Sequence, residues 1–145
     1  MTDTSPKPEG TMLLRTIAMP ADTNPNGDIF GGWIMSQMDI GGGILAKEIS
    51  RGRTCTVSVE GMTFHRPVQV GDVVCCYGRC ERIGNSSMRI RVEVWVKPLL
   101  RDNESDRYCV TEAIFTYVAI DGEGRPRKIE LSESEHPLPV SSRVS

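Results

Sequence analysis

Between residues 88 and 97, apolar side chains alternate one by one with polar, charged or aromatic side chains. The apolar positions are Met88, Ile90, Val92, Val94 and Val96. Such alternation predicts a β-strand that turns one face toward a core and the other face outward. Less regular patterns of the same kind predict further strands at residues 11–19, 54–60, 73–82 and 108–120. Between two of these strands, Gly84-Asn85 predicts a hairpin turn.

From about Trp33 to Ser50 the pattern is helical, and apolar residues recur on nearly every side. A helix that is apolar all round is a buried helix. Three consecutive glycines, Gly41, Gly42 and Gly43, lie inside it, and each one costs about 1 kcal/mol relative to alanine. We consider two interpretations. Either another backbone or a ligand approaches the helix closely at the glycines, or the helix breaks at Gly41.

The order of elements is one strand, one long helix and then four strands joined by short connections. A run of strands after a single helix is typical of an α+β fold with an antiparallel sheet. We therefore predict the hotdog fold, an antiparallel five-stranded sheet wrapped around one long central helix. The domain spans residues 11–130, between a disordered tail at 1–10 and a flexible tail at 131–145. Exposed sheet edges favour pairing with a second copy, so a homodimer is expected.

Composition argues against several functional classes. The 145 residues carry a net charge of −2 without a charged block, which disfavours a nucleic-acid-binding tail. No apolar run approaches the roughly 20 residues of a membrane-spanning helix, and the N-terminus lacks the apolar stretch of a signal peptide. A cytoplasmic location is therefore expected. Five cysteines without a C-x-x-C motif and two histidines give little support to a zinc site or a disulfide framework, so we expect free thiols packed in strands.

Candidate chemistry concentrates between Asn24 and Asp39. Gly31 and Gly32 open the helix, where unpaired backbone N–H groups could hold a developing oxyanion. The amide of Asn24 could orient a carbonyl group or a water molecule. Asp39 lies among apolar helix residues, where a carboxylate is costly unless it is paired or useful. Two interpretations of Asp39 stay open: a general base, or a side chain that bonds neighbouring backbone or faces solvent.

Four stretches carry a family resemblance: PADTNPNGDIFGGWIMSQMDIGGGILAKEI, TVSVEGMTFHRPVQVGDVVCCYGRC, IRVEVWVK and RYCVTEAIFTYVAID. They resemble the YciA-like acyl-CoA thioesterases, small hotdog enzymes related to the cytosolic acyl-CoA hydrolases. The resemblance covers residues 11–129, and the long contiguous string that ends near Asp39 makes it specific.

The resemblance implies hydrolysis of acyl-CoA to a free fatty acid and CoA, with CoA as part of the substrate and no cofactor or metal. The catalytic aspartate of the family matches Asp39, and its catalytic asparagine matches Asn24, with Asn26 as the less favoured choice. Gly31-Gly32 matches the oxyanion region, and Gly32 is counted among the catalytic residues. The resemblance further implies a dimer whose subunits each contribute to a shared site, a homohexamer built as a trimer of dimers, and a nucleotide as effector.

The resemblance also implies where CoA binds. The corresponding residues lie on the strand after the helix, in the following hairpin and at one arginine: Thr56, Val57, Ser58, Val59, Gly84, Asn85, Ser86, Ser87 and Arg66. Backbone groups there would hold the pantetheine, while the two hairpin serines and the arginine would meet phosphates.

Several alternatives remain at this level. Asp39 could activate water as a general base, or it could attack the thioester itself and form a mixed anhydride. A hotdog dehydratase or hydratase usually needs a histidine in the helix or the preceding loop, and this chain has none there. The alternative function is a non-catalytic hotdog protein that senses acyl-CoA or nucleotides.

Overall fold

The computed structural model describes residues 7–98 and 107–131. Its elements are β1 (Thr11–Ile17), α1 (Gly31–Ser50), β2 (Thr54–Phe64), β3 (Val73–Ile83), β4 (Ser87–Lys97) and β5 (Tyr108–Ala119). The five strands form one antiparallel sheet in the order β1-β3-β4-β5-β2, and α1 packs against all of them. The predicted α+β architecture and the predicted order of elements are confirmed. Within the described ranges, no helix is both long and apolar enough to cross a membrane.

The two predicted tails fall largely outside the described residues, which exclude 1–6 and 132–145. In the described part of the N-terminal tail, the Glu9 carboxylate pairs with Arg79 at 2.8 Å. The predictions of disorder at residues 1–10 and of flexibility at 131–145 stay predictions.

Strand β4 lies in the middle of the sheet and follows the predicted alternation. Its apolar positions are fully buried in the core that the sheet forms with α1: Met88, Ile90, Val92, Val94 and Val96. The opposite face is partly covered as well, since Glu93 and Trp95 are each 5% exposed. There the Trp95 indole N–H donates to the Glu93 carboxylate at 2.8 Å. The sheet therefore has a core face toward α1 and a partly covered outer face.

The helix runs unbroken through Gly41, Gly42 and Gly43, so the alternative of a break at Gly41 is wrong. A close approach does occur at Gly42, and a side chain makes it. A Cβ at Gly42 would overlap the phenolic oxygen of Tyr117 on β5, and it would lie 3.1 Å from the ring carbon that bears this oxygen. Glycine at position 42 therefore makes room for one hydroxyl group.

The prediction that α1 is buried on all sides is wrong for the single chain. Three of its apolar residues, Met35, Ile40 and Ile44, are 40%, 52% and 39% exposed. Strand β2 forms one edge of the sheet and is exposed along most of its length. The sheet covers one side of the helix, and the other side is exposed among the described residues. An apolar surface beside an unpaired strand edge is typical of a site of association between chains.

Arg127, which follows β5, forms hydrogen bonds at the C-terminal end of α1. The helix ends at Ser50, and the next residue, Arg51, adopts the left-handed conformation with a φ of 57°. The Arg127 guanidinium donates to the carbonyl oxygens of Ser50 and Ile120, each at 2.9 Å. The last carbonyl groups of a helix have no partner within the helix, so this side chain satisfies one that would otherwise need another donor.

Replacing Arg127 with methionine removes both charged donors and leaves these carbonyl oxygens unpaired. We expect the free energy of unfolding to fall by about 2 kcal/mol. Thermal unfolding at a fixed protein concentration measures this loss as a lower Tm. Arg125→Met is the matched control, because the Arg125 side chain is 71% exposed and pairs only with Glu123 among the described residues. An equal fall of Tm in both variants would contradict the role assigned to Arg127.

Candidate active site

Three elements meet at the carboxylate of Asp39, which lies in the third turn of α1. Its Oδ1 accepts a hydrogen bond from the Thr56 hydroxyl on β2 at 2.7 Å and another from the Tyr117 hydroxyl on β5 at 3.1 Å. Thr56 and Tyr117 pair directly across β2 and β5, so their side chains project from the same face of the sheet. We call Asp39, Thr56 and Tyr117 the carboxylate cluster.

The second carboxylate oxygen of Asp39, Oδ2, accepts no hydrogen bond from any group in residues 7–98 and 107–131. Asp39 is partly exposed, so Oδ2 keeps its lone pairs for a water molecule or a substrate. One oxygen of the carboxylate is therefore held by the fold, and the other is open.

Tyr117 is a hydrogen-bond donor in this cluster. Its side chain is 1% exposed, and burial, followed by the charge and the hydrogen bond of Asp39, raises the pKa of its phenol above the ordinary value. The hydroxyl therefore keeps its proton at neutral pH. Its oxygen also lies 3.1 Å from the backbone carbonyl oxygen of Asp39. Both acceptors within reach of this hydroxyl thus belong to Asp39.

Sequence reasoning missed Tyr117, and it placed Thr56 among the CoA-binding residues rather than beside Asp39. Nothing in the strand pattern of residues 108–120 marks one tyrosine as chemically important. The signal that was available was the Gly41-Gly42-Gly43 run, which predicted a close approach by a backbone or a ligand but not by the Tyr117 side chain. A contact between CoA and the backbone of Thr56 stays a prediction.

The start of α1 offers backbone donors. Phe30 precedes the helix and supplies no capping side chain. The N–H of Trp33 donates to the Phe30 carbonyl oxygen at 3.1 Å, whereas the N–H groups of Gly31 and Gly32 have no acceptor in the described part of the chain. A Cβ at Gly31 would lie 3.2 Å from the ring of Phe64. The open donors therefore lie beside the end of β2.

Asn24 belongs to the loop that leads into α1. Its side-chain oxygen accepts hydrogen bonds from the backbone N–H groups of Asn26 at 2.9 Å and Asp28 at 3.1 Å. Its side-chain NH₂ donates to no described residue. The loop thus occupies the acceptor end of the Asn24 amide and leaves the donor end for another group. Asn26 is exposed, and no contact of its side chain is observed within the described ranges.

Within one subunit, the carboxylate cluster and the helix start lie far apart. Asp39 follows Gly31 by eight residues, which is roughly 12 Å along an α-helix. Thr56 and Phe64 lie at opposite ends of β2, separated by roughly 26 Å in an extended strand. The structure of the single chain therefore does not bring Asp39 together with Gly31 and Gly32.

The residues predicted to bind CoA fall in three places. Val57, Ser58 and Val59 are exposed on β2. The hairpin Gly84–Ser87 lies at the same end of the sheet as Asp39, because Ser87 and Cys55 both pair with Val118 on β5. Arg66 lies beyond the other end of β2, where its guanidinium carbon is 3.6 Å from the centre of the Tyr108 ring. Their contact with CoA stays a prediction.

A second group of acidic side chains lies on the outer face of the sheet. Ligand atoms of Glu93, Cys109 and Glu112 lie within 4.8 Å of one another, close enough to share a metal ion. However, Arg91 pairs with Glu112 at 2.6 Å and lies 3.6 Å from Glu93. Burial, followed by the charges of the two glutamates, raises the pKa of the Cys109 thiol to about 11. A protonated thiol beside a guanidinium fits an ion-pair network better than a metal site.

Comparison with known proteins agrees with this architecture. Residues 26–100 match the family model described as Thioesterase superfamily. The acyl-CoA thioester hydrolase YciA of Escherichia coli is 63% identical over 129 residues, which are 89% of this chain and 98% of YciA. The family that the sequence predicted is confirmed.

Solved structures of related proteins show the same fold. HI0827, a hexameric broad specificity acyl-coenzyme A thioesterase, is 59% identical with a TM-score of 0.85, and the match covers 93% of this chain and 91% of HI0827. Cj0915 of Campylobacter jejuni, a hexameric hotdog fold thioesterase, is 40% identical with a TM-score of 0.79, over 83% of this chain and 91% of Cj0915. The predicted hotdog fold is confirmed. This chain belongs to the thioesterase superfamily and, within it, to the YciA-like acyl-CoA thioester hydrolases.

Proposed function

We propose that this protein is an acyl-CoA thioesterase that hydrolyses acyl-CoA to a free fatty acid and CoA, with Asp39 as the reactive carboxylate. The observation that carries the proposal is the Asp39 carboxylate itself, which Thr56 and Tyr117 hold through Oδ1 while Oδ2 is open. Membership of the YciA-like family supports the substrate class. Because HI0827 is described as having broad specificity, we expect several acyl chain lengths to be accepted.

The proposed active site is completed by a second copy of the chain. Among the described strands, β2 is an edge that pairs only with β5, and the exposed face of α1 lies beside it. Antiparallel pairing of β2 with its copy around a two-fold axis near Glu60 would set Thr56 opposite Phe64 of the partner subunit. Because the Phe64 ring lies beside Gly31 at the start of its own helix, this arrangement would bring Asp39 of one subunit to the helix start of the other.

In the proposed mechanism, the thioester carbonyl oxygen accepts hydrogen bonds from the N–H groups at Gly31 and Gly32, which stabilise the oxyanion that develops. The NH₂ group of Asn24 positions the carbonyl or the water. Asp39 of the other subunit takes a proton from water, and the hydroxide attacks the carbonyl carbon. Collapse of the tetrahedral intermediate breaks the carbon–sulfur bond, and the proton passes from Asp39 to the departing CoA thiolate.

Two parts of the proposal concern binding and assembly. CoA would run along Val57–Val59 toward the Gly84–Ser87 hairpin, which lies at the Asp39 end of the sheet, while Arg66 would come from the partner subunit. Three dimers would form a hexamer, the state that HI0827 and Cj0915 are described as having. The enzyme would work in the cytoplasm, as its sequence predicts.

A nucleotide effector would find complementary charge on the outer face of the sheet. A groove of about 130 Å³ there is lined by Arg15, Lys97 and Arg107 together with Tyr77 and Trp95, and none of the described residues in its lining is a carboxylate. Repeating the activity assay with adenine and guanine nucleotides tests this part of the proposal.

The function is tested by free-thiol release from a panel of acyl-CoAs of increasing chain length. We expect turnover of several members, and loss of turnover when Asn24 is replaced by alanine. The matched control is Asn26→Ala, since Asn26 is exposed and offers only its backbone N–H to the loop. Binding of acyl-CoA without any thiol release would overturn the proposal in favour of the sensor alternative.

A further inference from the structure

The geometry around Asp39 distinguishes its two carboxylate oxygens. Both described donors, the hydroxyls of Thr56 and Tyr117, point to Oδ1 at 2.7 Å and 3.1 Å. A carboxylate oxygen has about two lone-pair positions, and these two hydroxyls are placed to occupy both of them at Oδ1. Oδ2 receives no hydrogen bond within the described residues. The two oxygens are chemically identical in a free side chain, and the fold makes them different.

We propose that Tyr117 and Thr56 are positioning residues that fix the Asp39 side chain, so that Oδ2 is the atom that reacts with water or with the thioester. The proposal rests on the function proposed above and adds two residues and one atom to it. It holds whether Asp39 acts as a base or as a nucleophile, because both routes need an oxygen with free lone pairs.

Tyr117 fixes the orientation of Asp39 through a pair of contacts. Its phenolic oxygen lies 3.1 Å from Oδ1 and also 3.1 Å from the backbone carbonyl oxygen of the same residue. A single hydroxyl that bridges these two oxygens restrains the torsion between backbone and carboxylate. Thr56 then holds Oδ1 from the neighbouring strand, since it pairs with Tyr117 across β2 and β5. Two strands and one helix therefore determine where Oδ2 points.

Gly42 supports the same assignment independently. Any larger residue at this position would place its Cβ against the phenolic oxygen of Tyr117. The helix thus has glycine at position 42 in spite of the unfavourable helix propensity of glycine. The Tyr117 hydroxyl lies against this position where it reaches Asp39. A tyrosine that merely filled the core would not need its hydroxyl at this position.

The test is the pH profile of kcat/KM in Tyr117→Phe and Thr56→Val, followed through the thioester absorbance so that acidic pH is accessible. Donated hydrogen bonds favour the charged carboxylate. Removing one favours the protonated acid, so we expect the acidic limb of the profile to move up by roughly one pH unit. We also expect kcat to fall roughly tenfold while KM changes little, because these side chains orient Asp39 and do not hold CoA.

Two controls separate positioning from a general loss of structure. Thr56→Ser retains the hydroxyl and should restore the wild-type profile. Thr111→Val removes a buried threonine hydroxyl on β5, one that donates to the Thr63 carbonyl oxygen at 2.7 Å, and its acidic limb should not move. If Tyr117→Phe does not fold, the comparison of Thr56→Val with Thr56→Ser tests the positioning role by itself.

Acidic limbs in Tyr117→Phe and Thr56→Val that coincide with the wild-type limb would overturn the proposal. A rise of KM without a change of kcat would also overturn it, because that result assigns these side chains to substrate binding. A wild-type protein that does not hydrolyse acyl-CoA at all would instead defeat the proposed function, so the two failures are distinguishable.

Discussion

Substitution of Asp39 by asparagine should lower kcat for acyl-CoA hydrolysis by roughly three orders of magnitude, with KM little changed. Asparagine keeps a side-chain oxygen that can accept from Thr56 and Tyr117, so the shape of the cluster is preserved. What disappears is an oxygen that can take a proton from water or attack the thioester. The loss is therefore expected for both routes. Steady-state thiol release, with the oligomeric state checked by gel filtration, measures it.

The matched control for this substitution lies on the same helix. Glu48 is exposed near the end of α1, so Glu48→Gln makes the same change of charge away from the cluster and should retain full kcat. An Asp39→Asn protein that assembles normally and keeps more than about a tenth of the wild-type kcat would contradict the assigned role of Asp39.

The two routes open to Asp39 differ in where the oxygen of water goes. In the base route the oxygen of water enters the fatty acid directly. In the nucleophile route Asp39 forms a mixed anhydride, and water that attacks its aspartyl carbon leaves its oxygen in the protein. A single turnover in ¹⁸O-labelled water with excess enzyme, followed by mass analysis of the peptide that contains Asp39, therefore distinguishes the two routes. Label in the Asp39 carboxylate indicates the nucleophile route.

The sequence allowed much of the fold to be predicted because its periodicities are local. The alternation in β4 and the helical pattern that includes Asp39 each lie within one continuous segment, and the structure has both elements. Residues that carry a family motif are likewise contiguous, so Asn24, Gly31 and Asp39 could be selected together. The same local information could not tell which of them meet in space.

Sequence patterns could not identify the hydrogen-bond partners of Asp39, and the reason is physical. Tyr117 is separated from it by 78 positions and Thr56 by 17, so only the register between β2 and β5 brings the three side chains together. An apolar helix pattern also does not distinguish burial by the chain's own sheet from burial by a second copy. For that reason the exposed Ile40 and Ile44 were expected to lie inside one subunit.

The proposed sharing of the active site between subunits predicts that two inactive variants can restore each other. Asp39→Asn and Asn24→Ala should each be nearly inactive as pure proteins. In a mixed dimer, one of the two sites combines Asp39 from one subunit with Asn24 from the other and is intact, while the second site lacks both. With random pairing of equal amounts, half of the dimers are mixed, so activity should return to about a quarter of the wild-type value.

Co-expression of the two variants in equal amounts with one common affinity tag measures this recovery, because purification through that tag retains pure and mixed dimers alike. Native mass spectrometry counts the mixed ones. The control pairs Asp39→Asn with the double variant Asp39→Asn/Asn24→Ala, in which no site has the carboxylate, and its activity should stay at the level of Asp39→Asn alone. If Asp39 and Asn24 acted within one subunit, every site in the mixed dimer would lack one of them. Mixed dimers that form but regain no activity would therefore place both residues in the same subunit and refute pairing through β2 as the origin of the site.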